Sequence, residues 1–454
     1  MKRLNTLSKL ALSRVSMLVL CGLSSWVQQS SAAPAITTWQ SAHGAKVLWV
    51  KTAAIPMLDV QVDFDAGTRL DPSGNSYAQA GVSQLLSGLM GRATATLDET
   101  ELATRFADLA VQRTQQAQTD RLSFTLRTVT RDTVLQSAIE LMAQSLQAPD
   151  FQRATYQQMF ERHQRNTIAA LKEGETKPEE LAQRALLPAM YPQHPYGQLE
   201  SIASIQAVTP QAISDFYQRH ISSQRMVISL VGDVDRATAE RIANQLTAYV
   251  PQSDAKNTAI TALPSVTLPS AQVIKIAHPA SQAHVLMGQP ALQRGEPDYF
   301  PLFVGNYILG GGGFVSRLMT EVREKRGLVY GVSSYFQPLK QSGPWLLNLQ
   351  TKTEQAQQAV ELVNQVVDQF IAQGVTASEL QAAKDNLING FALRIDSNRK
   401  LLDNLAVIGF YGLPLNYLDT WTTQVNQVTA AQIKAAFQAK LKPQHRVTVI
   451  VAGE

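Results

Sequence analysis

The 454-residue sequence holds one cysteine, Cys21, and that scarcity removes several chemistries at once. A disulfide within the chain, a Cys-ligated zinc and, once the first residues are removed, any thiolate nucleophile are all excluded. Long apolar runs are missing as well. The run from Val15 to Leu23 falls far short of the roughly 20 apolar residues that span a bilayer, and no later stretch supplies them, so no membrane span is expected. Closely spaced histidines are also absent. Of the seven His, none stands three or four residues from another, and the nearest pair, His278 and His284, lies around a predicted strand. Scattered hydrogen-bonding histidines are the expectation, not a helical metal site.

What the sequence does have begins with a targeting segment. Lys2, Arg3, Lys9 and Arg14 flank the short apolar run, and the small residues Ser30, Ser31, Ala32 and Ala33 follow it. This reads as a secretory signal peptide over 1–32, cut after Ala32, because a cut after Ala33 would set Pro34 beside the scissile bond. Leu20 stands where a small residue normally precedes a lipidated cysteine, which argues against a lipoprotein anchor at Cys21. The expected compartment is the periplasm, where a cysteine-free mature chain loses nothing to oxidation. The full chain has 40 Lys+Arg against 36 Asp+Glu, and residues 1–32 hold four basic side chains and no acidic ones, leaving 36 against 36. The positive balance belongs to the targeting segment, so the mature chain has no electrostatic footprint for nucleic acid.

An internal repeat organises the rest. Val208-Thr209-Pro210-Gln211-Ala212-Ile213, with Phe216 and the strand-like Met226 to Asp233, has a counterpart in Val428-Thr429-Ala430-Ala431-Gln432-Ile433, with Phe437 and Val447 to Glu454. Val428 follows Val208 by 220 residues. In both copies Thr is placed to cap an amphipathic helix, and an apolar β-branched strand follows. Upstream, Leu135 to Leu146 and Ala359 to Ile371 both show helical spacing, each followed by a second helix, from Phe151 and from Thr376. Strand alternation opens each half, at 46–50 and 58–64 in the first and at 272–276 and 283–288 in the second. The Ser/Thr/Asn/Ala/Pro-rich stretch 251–271 between them reads as a linker. The expected fold class is α+β, with two homologous α/β sandwich domains, 33–250 and 272–454, each a sheet covered by helices.

Three stretches now resemble one family. They are Ala66-Gly67-Thr68-Arg69-Leu70-Asp71-Pro72-Ser73-Gly74-Asn75; His194-Pro195-Tyr196-Gly197 with Phe216-Tyr217 and Val231-Gly232-Asp233; and Leu309 to Leu318 followed by Glu321 to Ser334. In this order, on a duplicated architecture, they resemble the insulinase/pitrilysin family of zinc metallopeptidases over nearly the whole mature chain. The resemblance implies a catalytic helix with His-x-x-Glu-His, in which two His ligate zinc and the Glu activates water, and a third Glu ligand from a later helix. Here the three positions hold Gln84, Ser87 and Gly88, and the later helix, Glu161 to Lys172, carries Ala169 and Ala170 where the third ligand should fall. Gln is a poor zinc ligand, Ser is no general base near neutral pH, and Gly has no side chain. The expectation is a degenerate motif and no metal in this chain.

The resemblance also implies an Arg and a Tyr, seven residues apart, that reach the substrate backbone. They fall on Arg323 and Tyr330. The spacing predicts Arg323 on a helix starting near Ser316, Gly327 ending that helix in a left-handed conformation, and Tyr330 on the following strand. Arg and Tyr donors suit a peptide carbonyl whose charge grows at the tetrahedral stage. The plainer alternative is a solvated helix charge and a half-buried strand aromatic. Gly310, Gly311, Gly312 and Gly313 imply, by resemblance, a flexible loop lining a peptide chamber; close backbone packing is the equal alternative. A phosphate loop is excluded because Phe314-Val315-Ser316 follows where Gly-Lys-Ser/Thr is needed.

The family's chains of this size work in pairs, so the resemblance implies a heterodimer. This chain would bind peptide substrate and complete the active site of a zinc-bearing homologous partner, with zinc only in that partner. A different class stays open, a pseudoenzyme that binds peptides or scaffolds an envelope complex without aiding hydrolysis. A metal-independent hydrolase has no support, since Ser83 and Ser87 lack a nucleophile motif.

Overall fold

Alternating residues set the strands, and the clearest is Met57–Phe64, where Leu58, Val60, Val62 and Phe64 are fully buried on one face. A computed structural model describes residues 34–72, 80–252 and 263–453. The expected signal peptide, 1–32, and Ser73, Gly74 and Asn75 of the family-like turn lie outside the described residues.

In the first half the elements are β1 (Thr37–Gln40), β2 (Lys46–Lys51), β3 (Met57–Phe64), α1 (Val82–Leu89), α2 (Glu99–Asp108), β4 (Gln112–Ala117) and β5 (Leu122–Val129). Then follow α3 (Asp132–Ser145), α4 (Ala154–Gly174), α5 (Pro178–Met190), α6 (Ile202–Ala207), α7 (Pro210–His220), β6 (Met226–Gly232) and α8 (Arg236–Ala248). The second half has β7 (Gln272–Ala277), β8 (Gln282–Leu292), α9 (Tyr299–Asn306), β9 (Val329–Phe336), β10 (Gly343–Lys352) and α10 (Ala356–Gln373). It closes with α11 (Ala377–Asn389), α12 (Asn398–Tyr411), α13 (Tyr417–Gln427), α14 (Ala430–Lys440) and β11 (Val447–Ala452).

The sheet orders are β1-β2-β6-β3-β5-β4 and β7-β11-β8-β10-β9. In each sheet one pair is parallel, β2 with β6 and β7 with β11, and every other pair is antiparallel. Leaving β1 aside, the two orders are the same topology drawn twice. The capping that the repeat predicts is present: Thr209 accepts from the Ala212 amide at 3.1 Å and Thr429 from the Gln432 amide at 3.2 Å.

The helix cover departs from a simple two-domain division. α5 belongs to the first half in sequence but packs on β8 and β11 of the second sheet, while α12 packs on β2, β3 and β6 of the first. Pro178 and Asn398, which start these helices, are again 220 residues apart, so the repeat exchanges one equivalent helix in each direction. Ala182, Leu186 and Met190 of α5 are buried against Val447, Val449 and Val451. Each large side chain buried there contributes about 1.5–3 kcal/mol. Nothing in the apolar spacing of α5 says which sheet its stripe will cover. In the described part of the 251–271 stretch, Ala271 donates to the Gln444 carbonyl at 2.7 Å, and Leu263 and Val266 pack on the α5 cluster.

A buried carboxylate joins the halves. Asp120 accepts from the hydroxyls of Tyr196 and Tyr411, each at 3.0 Å, and from the Lys340 amide at 2.8 Å, and it pairs with Arg69 at 3.2 Å. Removing one partner from such a buried group leaves a desolvated charge, so the arrangement fixes how the two sheets face each other. Among the described residues no helix is long and apolar enough to cross a membrane.

Candidate functional site

The helix that carries Gln84, Ser87 and Gly88 is held by its start. Asp71 accepts from the amides of Gly81 at 2.7 Å and Ser83 at 2.8 Å, which satisfies two donors at the first turn of α1. Burial pushes the Asp71 carboxyl up to about 7 against the pull of those amides. Val82, Leu85, Leu86 and Leu89 fix the buried face of α1, leaving Gln84 exposed and Ser87 buried.

Gly88 is where this corner differs most from a metal site. A Cβ built on Gly88 would lie 1.8 Å from Nε2 of His163, 2.3 Å from its Cε1 and 2.6 Å from its Cδ2. The imidazole of α4 therefore occupies the volume that a side chain at 88 would need. Arg92 pairs with Glu99 at 2.8 Å and donates to the Gly88 carbonyl, and Arg162 also pairs with Glu99. Burial, with Arg92 and Arg162 nearby, holds His163 below the ordinary imidazole range. Ala169 and Ala170 are exposed on the same helix and offer no ligand. The residues present do not fit zinc: one has no side chain, its space is filled, and two guanidinium groups stand where a dication would be repelled. Among the described residues no group of three His, Cys, Asp or Glu could hold a metal ion.

The Arg/Tyr corner is built differently. Ser316 accepts from the Met319 amide at 3.4 Å and starts a helical segment that widens to π-type spacing over Met319–Glu324, which carries Arg323. Gly327, at φ +61°, ends it: its amide donates to Arg323 at 2.8 Å and that of Leu328 to Val322 at 3.1 Å. Glu321 pairs with Lys325 at 2.7 Å and Arg326 at 2.8 Å, and these bonds hold its carboxyl below the usual range. Arg323 stands apart from that network. Its guanidinium makes no hydrogen bond or ion pair to a described residue and lies 4.8 Å from the ring centroid of Phe314. Such a contact is worth about 0.5–1 kcal/mol at an exposed site, enough to orient a side chain without burying it.

Tyr330 sits at an irregularity of β9 that the sequence does not announce. Gly331 pairs with Gln350 and Val329 with Thr351, so Tyr330 is an extra residue with no partner on β10. A bulge of this kind re-aims a side chain. Tyr330 and Gly331 are both exposed where strict alternation would bury one of them, and Tyr330 is 62 % exposed.

The four glycines differ in how closely they are packed. A Cβ on Gly310 would meet the Ser334 amide nitrogen at 2.8 Å and its Oγ at 2.4 Å, so this residue lets the turn close on β9. Gly312 is similarly tight, 2.7 Å from the Tyr307 carbonyl, and Gly311 would meet Asn306 Nδ2 at 3.0 Å. Gly313, at φ +62°, has open space around it and leads to Phe314 and Val315, which are 65 % and 75 % exposed. Gly313 also lines a cleft of about 760 Å³; Gln84, Ser87, Gly88, Arg323 and Tyr330 do not. His43, His194, His220, His278 and His445 act in hydrogen bonding, as His278 does with the Thr176 carbonyl at 3.0 Å.

Comparison with known proteins agrees with this geometry. Residues 46–200 match the family described as Insulinase (Peptidase family M16), and 207–387 match the Peptidase M16 inactive domain. A Helicobacter pylori protein named non-peptidase homolog YmxG is 25% identical over 427 residues, covering 92% of this chain and 94% of its own. A Streptomyces coelicolor protein named an uncharacterized zinc protease is 26% identical over 258 residues, 56% of this chain and 55% of its own. The crystal structure of a peptidase M16 inactive domain from Pseudomonas fluorescens superposes with a TM-score of 0.85 at 33% identity, covering 92% of this chain and 98% of that one.

Proposed function

Because this chain belongs to the insulinase family of peptidases and lacks that family's zinc-ligand set, we propose that it is the non-catalytic, exported subunit of a two-chain peptidase in the periplasm. In this reading it grips peptide substrate and completes the active site of a zinc-bearing homologous partner in a heterodimer. The observation that carries the reading is the contrast at Arg323: its neighbours Lys325 and Arg326 are tied to Glu321, while its guanidinium makes no hydrogen bond or ion pair to a described residue and lies over Phe314.

Arg323 offers fixed N–H donors and Tyr330 a hydroxyl donor. Aimed at a peptide carbonyl, both strengthen as negative charge develops on its oxygen, which is the requirement for lowering the barrier and not merely binding the substrate. The bond-breaking chemistry belongs to the partner. The name carried by the Streptomyces coelicolor relative supports zinc-bearing chains at this distance in sequence, and the composition of residues 1–32 supports export.

Co-expression with a zinc-bearing homologue tests the reading, with zinc content and peptide cleavage measured for each chain and for the mixture. The expected result is zinc in the partner only and cleavage that rises in the mixture. Arg323→Ala and Tyr330→Phe each lower that activity, mainly in kcat. A mixture no more active than the partner alone would leave the scaffolding pseudoenzyme as the better account. Zinc and cleavage in this chain by itself would overturn the proposal altogether.

A further inference from the structure

The 760 Å³ cleft has an organised floor and one organised wall. Its floor is the face of β8, β10 and β9 that α5 leaves uncovered. Three rows cross it: His284 beside Gln350, Ser333 beside Asn348, and Leu346 beside Tyr335. In the middle row the Ser333 hydroxyl donates to Asn348 Oδ1 at 3.1 Å. Successive rows are two residues apart along the strands, about 6.6–6.8 Å, which is also the repeat at which an extended peptide presents every second side chain.

The wall is graded along the same direction. α5 begins at the His284 row, where Glu179 lies 3.4 Å from the imidazole, and ends at Met190, whose sulfur lies 2.5 Å from a Cβ built on Gly288, the residue paired with Leu346. Toward that second end the wall is Leu187 and Tyr191. Among the described lining residues Glu179 is the one acid, and no Lys or Arg is present. The acidic end is the end nearest Tyr330, through Gly331 in the first row.

We propose that this cleft binds an extended peptide bearing a large apolar side chain and, four residues away, a cationic one. The apolar side chain lies over Leu346 and Tyr335 against Leu187; polar groups of the peptide meet Ser333 and Asn348; the cation reaches Glu179. From Gly331 to Tyr335 is four residues, about 13 Å of strand, and an extended peptide covers the same distance in four residues. The cleft's lack of cationic lining residues gives an acidic segment nothing to pair with. This inference rests on the peptide-binding part of the proposed function and gives it a sequence preference; it needs neither a partner nor hydrolysis.

Fluorescence anisotropy with the isolated mature chain at pH 8 tests it. Labelled serine-based peptides carry Phe and Lys four residues apart in either order, adjacent, or with Lys replaced by Glu. The four-apart Lys peptide in one of the two orders is expected to bind about tenfold tighter than the adjacent or Glu versions, equivalent to about 1.4 kcal/mol. Glu179→Lys, an exposed position that leaves the fold intact by circular dichroism, inverts the Lys-over-Glu preference. Tyr335→Ser weakens all Phe peptides and leaves the Lys-to-Glu ratio unchanged. Peptide binding that ignores spacing, or a ratio indifferent to Glu179→Lys, overturns this inference while peptide binding itself stands. Binding of no peptide at all overturns both.

Discussion

Helix α1 and helix α9, which runs into the glycine-rich turn, occupy the same place in the two repeats. Each follows β3 or its counterpart β8, packs on α4 and α7 or on α11 and α14, and approaches the edge strand β4 or β9. Their fates differ. At the first corner, His163 of α4 has filled the space above Gly88, and Arg92 and Arg162 share Glu99 around it. At the second, Gly310, Gly312, Leu318 and Val322 are tightly packed, while Phe314, Val315 and Tyr330 face outward and Arg323 is half-buried beside Phe314. One corner has been closed with side chains, and the other kept open on a rigid base. Stability should therefore respond to changes at the closed positions, and binding to changes at the open ones.

The largest effect is expected at the base of the open corner. Gly310→Ala drives a Cβ into the Ser334 backbone, which cannot rotate aside, and displaces the Ser334 hydroxyl from its 2.8 Å bond to Asn306. A loss of about 3 kcal/mol is expected in urea unfolding, the upper part of the range for overpacking a filled site. A variant as stable as the parent would mean that the turn is loose from its first glycine, and the contrast between base and tip would fail.

Gly88→Ala comes next and carries a sign test. Inside a helix this change ordinarily gains up to about 1 kcal/mol. Here the new methyl meets an imidazole ring, which must swing out, so a net loss of about 1–2 kcal/mol is expected. With His163→Ala already in place the obstacle is gone, and the same Gly88→Ala change should become stabilising. A double-mutant cycle read by urea denaturation reports that coupling directly. Adding Gln84→His and Ser87→Glu to Gly88→His should leave zinc unbound by elemental analysis while His163 remains.

How much of this was open to sequence reasoning follows from the kind of information each feature needs. The 220-residue repeat, the Thr209 and Thr429 caps, the strands at β2, β3, β7 and β8 and the left-handed Gly327 depend on local spacing, and spacing is visible in a sequence. The degenerate motif at Gln84, Ser87 and Gly88 rests on the resemblance to the insulinase/pitrilysin family and not on spacing. Three features were not legible in the sequence. His163 over Gly88 is a contact across 75 positions, and a glycine gives no sign of what fills its space. The exchange of α5 and α12 leaves each helix with an ordinary apolar stripe, silent about which sheet it covers. The bulge at Tyr330 is set by registration against β10, a strand not identified from the sequence.

A smaller effect separates the corners by pH. His163 is held below the ordinary imidazole value, so between that depressed value and about 6.5 the folded chain binds fewer protons than the unfolded one. The stability this contributes is fully present above about pH 6.5 and is lost as the pH falls toward the depressed value. His163→Gln removes the titrating group while keeping a side chain of similar reach, and it should flatten the slope of the urea midpoint between pH 7 and 5. An unchanged slope would assign acid sensitivity elsewhere, with His220, depressed to about 4 by burial and its Arg neighbours, as the alternative source.

The smallest expected stability effect is at the residues with the largest proposed functional one. Arg323 is half-buried and makes no hydrogen bond or ion pair to a described residue, and Tyr330 is mostly exposed on an unpaired bulge, so Arg323→Ala and Tyr330→Phe should each shift the unfolding free energy by no more than about 1 kcal/mol. That near-silence gives the comparison its force. A half-buried side chain that no described residue hydrogen-bonds, and whose guanidinium is oriented over a ring beside a turn built on close-packed glycines, is the arrangement the proposed substrate grip requires. Unfolding costs of 2 kcal/mol or more would instead make the pair part of the scaffold, and the open corner would then differ from the closed one only in its exposure.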